Sequence, residues 1–127
     1  MRRIVLDIKG TLLAEALVQA LTTSNSDFII YRSLKPEETI NLCKTCKANV
    51  LVMQVNTQNG LGIEDRLRLR DMARSLGLDL KTLLLVDENE NEQLAARVRQ
   101  AVKDQLVDSF VYTSVSPTYL AAVIDTL

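Results

Sequence analysis

A regular alternation between two kinds of segment constrains the fold of this chain more than any other sequence feature. One kind is a short run rich in β-branched and other apolar residues. Five such runs occur, at 3–8, 27–33, 49–55, 81–87 and 109–115. The third and fourth runs, "NVLVMQV" and "KTLLLVD", are apolar almost throughout, which is typical of strands covered on both faces.

The other kind of segment has the apolar spacing of a helix. We predict helices over 11–22, 36–47, 63–76, 91–106 and from residue 117 onward. Pro36 with the two glutamates after it suits a first helical turn, and Gly77 suits a helix end. In the first helix, we expect the core-facing side to carry Leu13, Ala16, Leu17 and Ala20.

The order of these segments predicts the fold class. A chain of 127 residues has the size of one domain, here residues 1–127, with a sizeable core. Strands that alternate with helices over short connections predict a parallel sheet with helices on both faces. We therefore predict a flavodoxin-like, doubly wound α/β domain with a five-stranded sheet in an α/β/α arrangement. Ligands of such sheets bind at the carboxyl ends of the strands, near the topological switch point.

Composition excludes several kinds of function. The chain has no histidine, which removes the commonest general base and the commonest metal ligand. Its 15 basic and 16 acidic residues nearly cancel, so no strongly basic surface predicts nucleic-acid binding. No apolar run reaches the length of a membrane span. We expect a cytoplasmic protein that does not contact membranes.

The two cysteines, Cys43 and Cys46, form a single CxxC pair. No second pair and no histidine completes a tetrahedral zinc site. A redox-active pair opens a helix directly after a strand, where the helix dipole lowers a thiol pKa, but this pair falls near a helix end. We expect both cysteines to pack as ordinary side chains.

Several polar side chains follow the predicted strands. Because the carboxyl ends of parallel strands meet at one edge of a sheet, these side chains are the candidates for a site. They are, in chain order, Asp7 with Ile8 and Lys9, Ser33, Gln54 with Asn56, Asp87 with Glu88, and Thr113 with Ser114.

Three stretches give this layout a resemblance to the receiver domain (CheY-like) of two-component response regulators, from about residue 3 to the end. "VLDIKGTLLAEAL" is similar to the first receiver strand and helix, where two acids bind magnesium. "ANVLVMQVN" is similar to the third strand, which ends in the phosphorylated aspartate. "SFVYTSVSPTYLAAVIDTL" is similar to the last strand and helix of receivers of the transcription-factor type.

The resemblance implies that most residues of receiver chemistry are replaced here. One element survives, since Phe110 falls at the position of the aromatic switch residue. The replaced positions form a degenerate phosphorylation pocket. Asp7 matches the first acid of the pair, and Ile8 replaces the second. Gln54 replaces the phosphoacceptor aspartate. Val86 (or Asp87, if the register slips by one) replaces the hydroxyl residue, and Thr113 replaces the lysine.

These replacements predict a domain that does not take phosphate. A receiver is phosphorylated because a carboxylate oxygen attacks while Mg²⁺ neutralises charge and a lysine and a hydroxyl hold the oxygens. The amide of Gln54 cannot form the acyl phosphate, and a single carboxylate leaves Mg²⁺ short of ligands. We interpret the chain as an atypical receiver, or pseudo-receiver. We expect it not to be an enzyme and to use no cofactor. Asp7 and Asp87 are the only candidates for metal ligands, and both are weak ones.

An enzyme is the first alternative. "LDIKGTLL" is also similar to the first motif of haloacid-dehalogenase-like phosphatases, with Asp7 as the nucleophile. Asp87 and Glu90 or Glu92 would then bind Mg²⁺. Lys9, however, replaces the aspartate that acts as general acid and base in that family, which should cripple turnover. A further alternative is a small-molecule sensor that binds a neutral ligand in the emptied pocket.

Simpler interpretations of the same residues remain open. Asp7 could cap a turn or the next helix. The acids of "DENENE", 87–92, could form a solvated loop at a helix start or a cation-binding rim. One side of the predicted third helix carries Arg66, Arg70 and Arg74. We expect these arginines to pair with nearby acids on a solvent-exposed face of the helix.

The resemblance also implies the kind of partner. Receivers of the transcription-factor type commonly pair through the fourth helix, fifth strand and fifth helix, which lie within residues 91–127 here. Apolar residues exposed on that surface would support a homodimer or another protein partner; the candidates are Tyr119, Val102, Leu106 and Leu127. A DNA-binding output domain, absent from this chain, would make the protein a transcription regulator.

Overall fold

The computed structural model describes residues 2–58, 60–87, 89 and 91–127. Strands and helices alternate along the described residues, as the sequence predicts. In chain order they are β1 (Arg2–Asp7), α1 (Thr11–Ser24), β2 (Phe28–Ser33), a 3₁₀-helix (Pro36–Glu38) that leads into α2 (Thr39–Cys46), β3 (Val50–Val55), α3 (Ile63–Ser75), β4 (Lys81–Val86), α4 (Glu92–Lys103), β5 (Ser109–Tyr112) and α5 (Pro117–Thr126).

The strands of the described residues form one parallel sheet with the order β2-β1-β3-β4-β5. Helices α1 and α5 cover one face, where they pack on side chains such as Leu6 and Ile8. Helices α2, α3 and α4 cover the other face, which includes Val5 and Met53. The predicted flavodoxin-like, three-layered fold is confirmed. The chain leaves β1 toward β2 on one side and returns to β3 on the other, so the switch point lies between β1 and β3.

The register of the sheet sets which side chains meet at its carboxyl edge. Asp7 lies opposite Ser33 of β2 and opposite Met53 of β3. Partners in register point to the same face, and successive residues point to opposite faces. Asp7 therefore faces α2 and α3, whereas Ile8, which is 2% exposed, packs under α1 and α5.

Two predicted details need correction. On the expected face of α1, Leu13 and Leu17 are half-buried and pack against the core, whereas Ala16 is exposed. The fully buried residues are Ala14 and Leu21, so the helix is rotated relative to the expected face. The fifth strand ends at Tyr112, not at residue 115, because the chain turns there and the Val115 amide donates to the Tyr112 carbonyl at 3.2 Å.

The cysteines lie in the second half of α2, and both are free. Cys43 is buried among apolar side chains, and burial raises the pKa of its thiol to about 12. Burial also raises the pKa of Cys46, which is half-buried. A thiol with a raised pKa is a poor nucleophile, so ordinary packing is the better interpretation.

The described residues contain no helix that is long and apolar enough to span a bilayer. The cytoplasmic location stays a prediction.

Candidate functional site

A buried arginine lies at the switch point. Arg66 belongs to the first turns of α3, and its side chain is 0% exposed. Its guanidinium contacts the carboxylate of Asp7 through two nitrogens, with Nη1–Oδ2 at 2.8 Å and Nη2–Oδ1 at 3.2 Å. This is the bidentate geometry in which arginine binds a carboxylate most strongly. Asp7 is itself only 3% exposed, so the ion pair is closed to water.

The same guanidinium also holds the backbone at the ends of two strands. Nη2 donates to the carbonyl oxygen of Asp7 at 3.2 Å, and Nε donates to the carbonyl oxygen of Gln54 at 2.7 Å. The four bonds together use most of the five N–H donors of an arginine. Arg66 therefore joins the carboxyl end of β1 to that of β3 across the switch point.

The loop before α3 explains how Arg66 reaches this position. The amide of Asn56 donates to the carbonyl oxygen of Leu61 at 2.9 Å, which closes the loop directly after β3. Asp65 then accepts the amide of Gly62 at 3.1 Å and so caps the start of α3. Helix α3 thus begins close to the end of β3, and its second turn lies over the strand ends.

Asp7 has a second side-chain partner, on the side of α2. The hydroxyl of Thr39 donates to Asp7 Oδ2 at 2.6 Å, and the hydroxyl of Ser33 lies 2.7 Å from that of Thr39. Thr39 is 0% exposed and Ser33 is 4% exposed. The register of β1 and β2 places Ser33 beside Asp7 on the same face. Side chains of α3 and α2 therefore bind one carboxylate, and Ser33 of β2 reaches it through Thr39.

Comparison with known proteins shows which fold contains this site. Neither a protein-family model nor a curated protein sequence matches the chain. Solved structures do match. A LuxR-family DNA-binding response regulator from Staphylococcus aureus superposes with a TM-score of 0.77 at 18% identity, covering 99% of this chain and 98% of that one.

Two further structures agree with that match. The signal receiver domain of NarL from Mycobacterium tuberculosis gives a TM-score of 0.76 at 21% identity, over 98% of this chain and 94% of that one. The chemotaxis protein CheY4 from Vibrio cholerae gives 0.73 at 15% identity, over 100% and 99%. The chain has the receiver fold. At these identities the likeness establishes the architecture, so function has to be argued from the site.

Gln54, which we expected to replace the acceptor aspartate, lies near the end of β3 beside the β1–α1 loop. Its side-chain oxygen accepts the amide of Lys9 at 2.9 Å, while its carbonyl oxygen accepts from Arg66. Asp7 and Gln54 are thus brought together by two separate contacts. The side chain of Gln54 anchors a loop, and its nitrogen carries no negative charge with which to attack phosphate.

The other predicted pocket positions lie apart from this network. Val86 is 0% exposed within the apolar layer under α3 and α4, and its carbonyl oxygen accepts the amide of Thr113 at 3.0 Å. Asp87 is exposed, and its carboxylate accepts the amide of Asn89 within a turn. Phe110, which we expected at the position of the aromatic switch residue, is half-buried and meets Tyr112 edge-to-face at 5.4 Å.

The prediction that Arg66 lies on a solvent-exposed helix face is wrong, because its side chain is buried. Local pairs do form at other positions of α3: Arg70 pairs with Asp71, as expected, and Arg68 pairs with Asp65. A sequence signal for the burial of Arg66 did exist. It lies three residues after Ile63 and seven before Ala73, so it shares the buried stripe of the helix.

One simpler interpretation of the acids is also wrong. Asp7 does not cap α1, because the helix follows Gly10 with no side-chain cap, and the carboxylate faces the opposite layer. The cation rim of residues 87–92 stays a prediction, because Glu88 and Glu90 lie outside the described residues. Within the described residues, no group of three or more acids or cysteines is placed to hold a metal ion. Glu92, the remaining phosphatase candidate, pairs with Arg99 at 2.7 Å.

Proposed function

We propose that this chain is an atypical receiver domain that signals through protein contacts without aspartyl phosphorylation. The observation that carries the proposal is the buried ion pair between Asp7 and Arg66. The haloacid-dehalogenase-like phosphatase is not favoured, because Arg66 occupies the carboxylate that would attack and Lys9 stands at the position of the acid–base residue.

The first argument concerns the cation. Magnesium binds through carboxylate oxygens and water in a near-octahedral arrangement. Both carboxylate oxygens of Asp7 already accept hydrogen bonds from Arg66, and Oδ2 also accepts from Thr39. A metal ion would have to displace a guanidinium that has no access to water. Arg66 thus acts as a permanent internal counter-charge at the place where a receiver would bind its divalent ion.

The second argument concerns the switch. Phosphorylation changes the charge of a receiver pocket, and the change is transmitted to the surface. Here the charges of Asp7 and Arg66 balance, and Gln54 at the acceptor position is neutral. The pocket therefore offers no group whose charge would change upon phosphoryl transfer. Regulation would depend on contacts at the surface, on the amount of protein, or on a ligand that binds elsewhere.

The surface formed by α4, β5 and α5 is the candidate contact surface. Tyr119 of α5 is 56% exposed and borders an apolar groove with Phe110, Tyr112 and Val115. Val102, Leu106 and Leu127, which were also candidates for exposed apolar contacts, are half-buried against the core. A homodimer or a second protein would therefore use the aromatic groove. An output domain that binds DNA remains part of this proposal, as does a role in transcription regulation.

The proposal is tested by attempted phosphorylation. The purified protein is mixed with Mg²⁺ and acetyl phosphate, and separately with Mg²⁺ and beryllofluoride. We expect an unchanged intact mass and unchanged amide shifts at residues 6–9 and 53–56 in ¹H–¹⁵N spectra. A receiver that carries the acceptor aspartate serves as the positive control. A mass increase of one phosphoryl group on this chain would overturn the proposal.

A further inference from the structure

A cleft opens beside the ion pair, between the loop that follows β1 and the loop that follows β2. Its volume is about 270 Å³, just below the range of about 300–1,000 Å³ for drug-sized ligands, so it suits a small molecule. Residues from three loops and from the end of β2 line it. Those that matter below are Ile8, Lys9, Arg32, Leu34, Lys35 and Glu37.

Arg32 gives the cleft its unusual character. It lies in the edge strand β2, one residue before Ser33, and its side chain is half-buried. Its Nε atom is buried and has no hydrogen-bond partner among the residues that the structure describes. Buried polar atoms in folded proteins are nearly always paired, so an unpaired one adjacent to a cleft needs an explanation, and a bound ligand would supply one.

Two lysines add to the positive charge of the cleft. Lys9 comes from the β1–α1 loop and Lys35 from the loop before α2, and both are exposed. Neither ammonium group lies within 4 Å of a carboxylate in the described part of the chain. Of the two acids in the cleft wall, Asp7 is already paired with Arg66, which leaves Glu37. The cleft is therefore locally positive, although the whole chain has a net charge of −1.

The rest of the wall is apolar. Ile8 is buried beneath the cleft, and Leu34 at its rim is 75% exposed. An exposed leucine beside unpaired cations suits a ligand with a charged head and an apolar body. An inorganic ion alone would leave this apolar wall in contact with water.

We propose that this cleft binds a small organic anion, with Arg32, Lys9 and Lys35 holding a phosphate or carboxylate head group and Leu34 covering its apolar body. The site is separate from the acceptor position at Gln54, and it goes beyond the function proposed above. It is coupled to the buried network, because Ser33 of the cleft wall donates to the carbonyl oxygen of Lys35 at 2.8 Å and contacts Thr39. A bound anion would therefore stabilise the segment between β2 and α2, at whose end Thr39 donates to Asp7.

The test uses phenyl phosphate and benzoate as probes and benzyl alcohol as the neutral analogue, all at matched ionic strength. The ¹⁵N-labelled protein is titrated, and amide shifts are followed at residues 8–10 and 32–37. We expect saturable shifts with at least one anion and none with benzyl alcohol. The relative affinities of the two anions then identify the head group.

Matched variants separate the site from general charge effects. Arg32→Gln should weaken binding by roughly tenfold or more, since it removes a charge-assisted contact. Arg74→Gln, which makes the same change at an exposed position of α3, should leave the affinity unchanged. If Arg32→Gln fails to fold, Lys35→Gln at an exposed position gives the same comparison. Shifts that do not saturate, or that are equal in Arg32→Gln and wild type, would overturn the proposal.

Discussion

The guanidinium of Arg66 and the carboxylate of Asp7 face each other across the switch point of the sheet, although 59 positions separate them in the chain. Two hydrogen bonds join them, and two more join Arg66 to the carbonyl oxygens of Asp7 and Gln54. A charge pair of this kind costs desolvation energy, so its net contribution to stability is modest. Removing one partner is strongly destabilising, because the other charge is then left buried and unpaired.

The first prediction concerns that loss. Arg66→Met should lower the free energy of unfolding by about 3–5 kcal/mol, because Asp7 would remain as an unpaired buried carboxylate. Urea unfolding measures the change. The exposed neighbour provides the control: Arg68→Met should cost less than about 1 kcal/mol, since Arg68 pairs with Asp65 in solvent. A small loss in Arg66→Met, similar to that of the control, would contradict the buried ion pair.

A double variant extends this prediction. Asp7→Leu combined with Arg66→Met should recover a large part of the stability lost in Arg66→Met alone, since apolar residues can replace a buried ion pair at little cost. The double-mutant cycle measures the coupling between the two sites. Strictly additive losses would show that the two side chains do not interact.

The third prediction concerns the hydroxyl that completes the shell of Asp7. Thr39→Val keeps the shape of the side chain but removes the donor to Asp7 Oδ2, and the Ser33 hydroxyl loses its neighbour. We expect a loss of about 1–3 kcal/mol in the free energy of unfolding. Thr45→Val, at an exposed position of the same helix, should change it by less than about 0.5 kcal/mol. Equal effects at the two positions would exclude a role for the Thr39 hydroxyl.

The fourth prediction separates the two obstacles to phosphorylation. Gln54→Asp places a carboxylate at the proposed acceptor position but leaves Arg66 bonded to Asp7. We expect that this variant still takes up no phosphate from acetyl phosphate with Mg²⁺, because Asp7 cannot contribute to a metal site. Intact mass reports the outcome. Mg²⁺-dependent phosphorylation of the single variant would show that Arg66 is no barrier.

The fifth prediction concerns pH. The pKa of Cys43 is raised by burial from 9.0 to about 12, so the folded protein keeps this proton when the unfolded chain has lost it. The contribution is complete below pH 9 and is lost as the pH rises toward 12. We expect the free energy of unfolding to fall over this interval by up to about 1.4 kcal/mol per pH unit. Cys43→Ala should show a smaller slope, and an identical slope would assign the effect to other groups.

A related measurement uses thiol reactivity. The half-buried Cys46 should react with an aromatic disulfide reagent before Cys43, which is 2% exposed. In Cys46→Ser, labelling of Cys43 should follow the rate at which the protein opens. Rapid labelling of Cys43 in the folded protein would contradict its burial.

Local patterns determined much of this protein. The bounds of β3 and β4 and the start of α5 at Pro117 agree with the predictions within one residue. These features depend on hydrophobic periodicity and on residues such as proline, whose effect is local. The order of the elements was then sufficient for the doubly wound fold, since connections in such folds follow few topologies. The expectation that Gln54 stands where a receiver has its acceptor aspartate was drawn from the chain alone, and it stays a prediction.

Only the tertiary structure decided what occupies the space around Asp7. The sequence near Arg66 contains acids at the spacing of helical ion pairs, so local pairing on a solvent-exposed face was a reasonable expectation. The rotation of α3 about its axis instead turned Arg66 inward with Ile63 and Ala73. Whether a charge can be buried depends on an opposite charge at the same place in space, and that partner came from β1, far away in sequence. A sequence pattern records the preferences of neighbours along the chain, whereas the electrostatic energy of a buried ion depends on distance in the folded molecule.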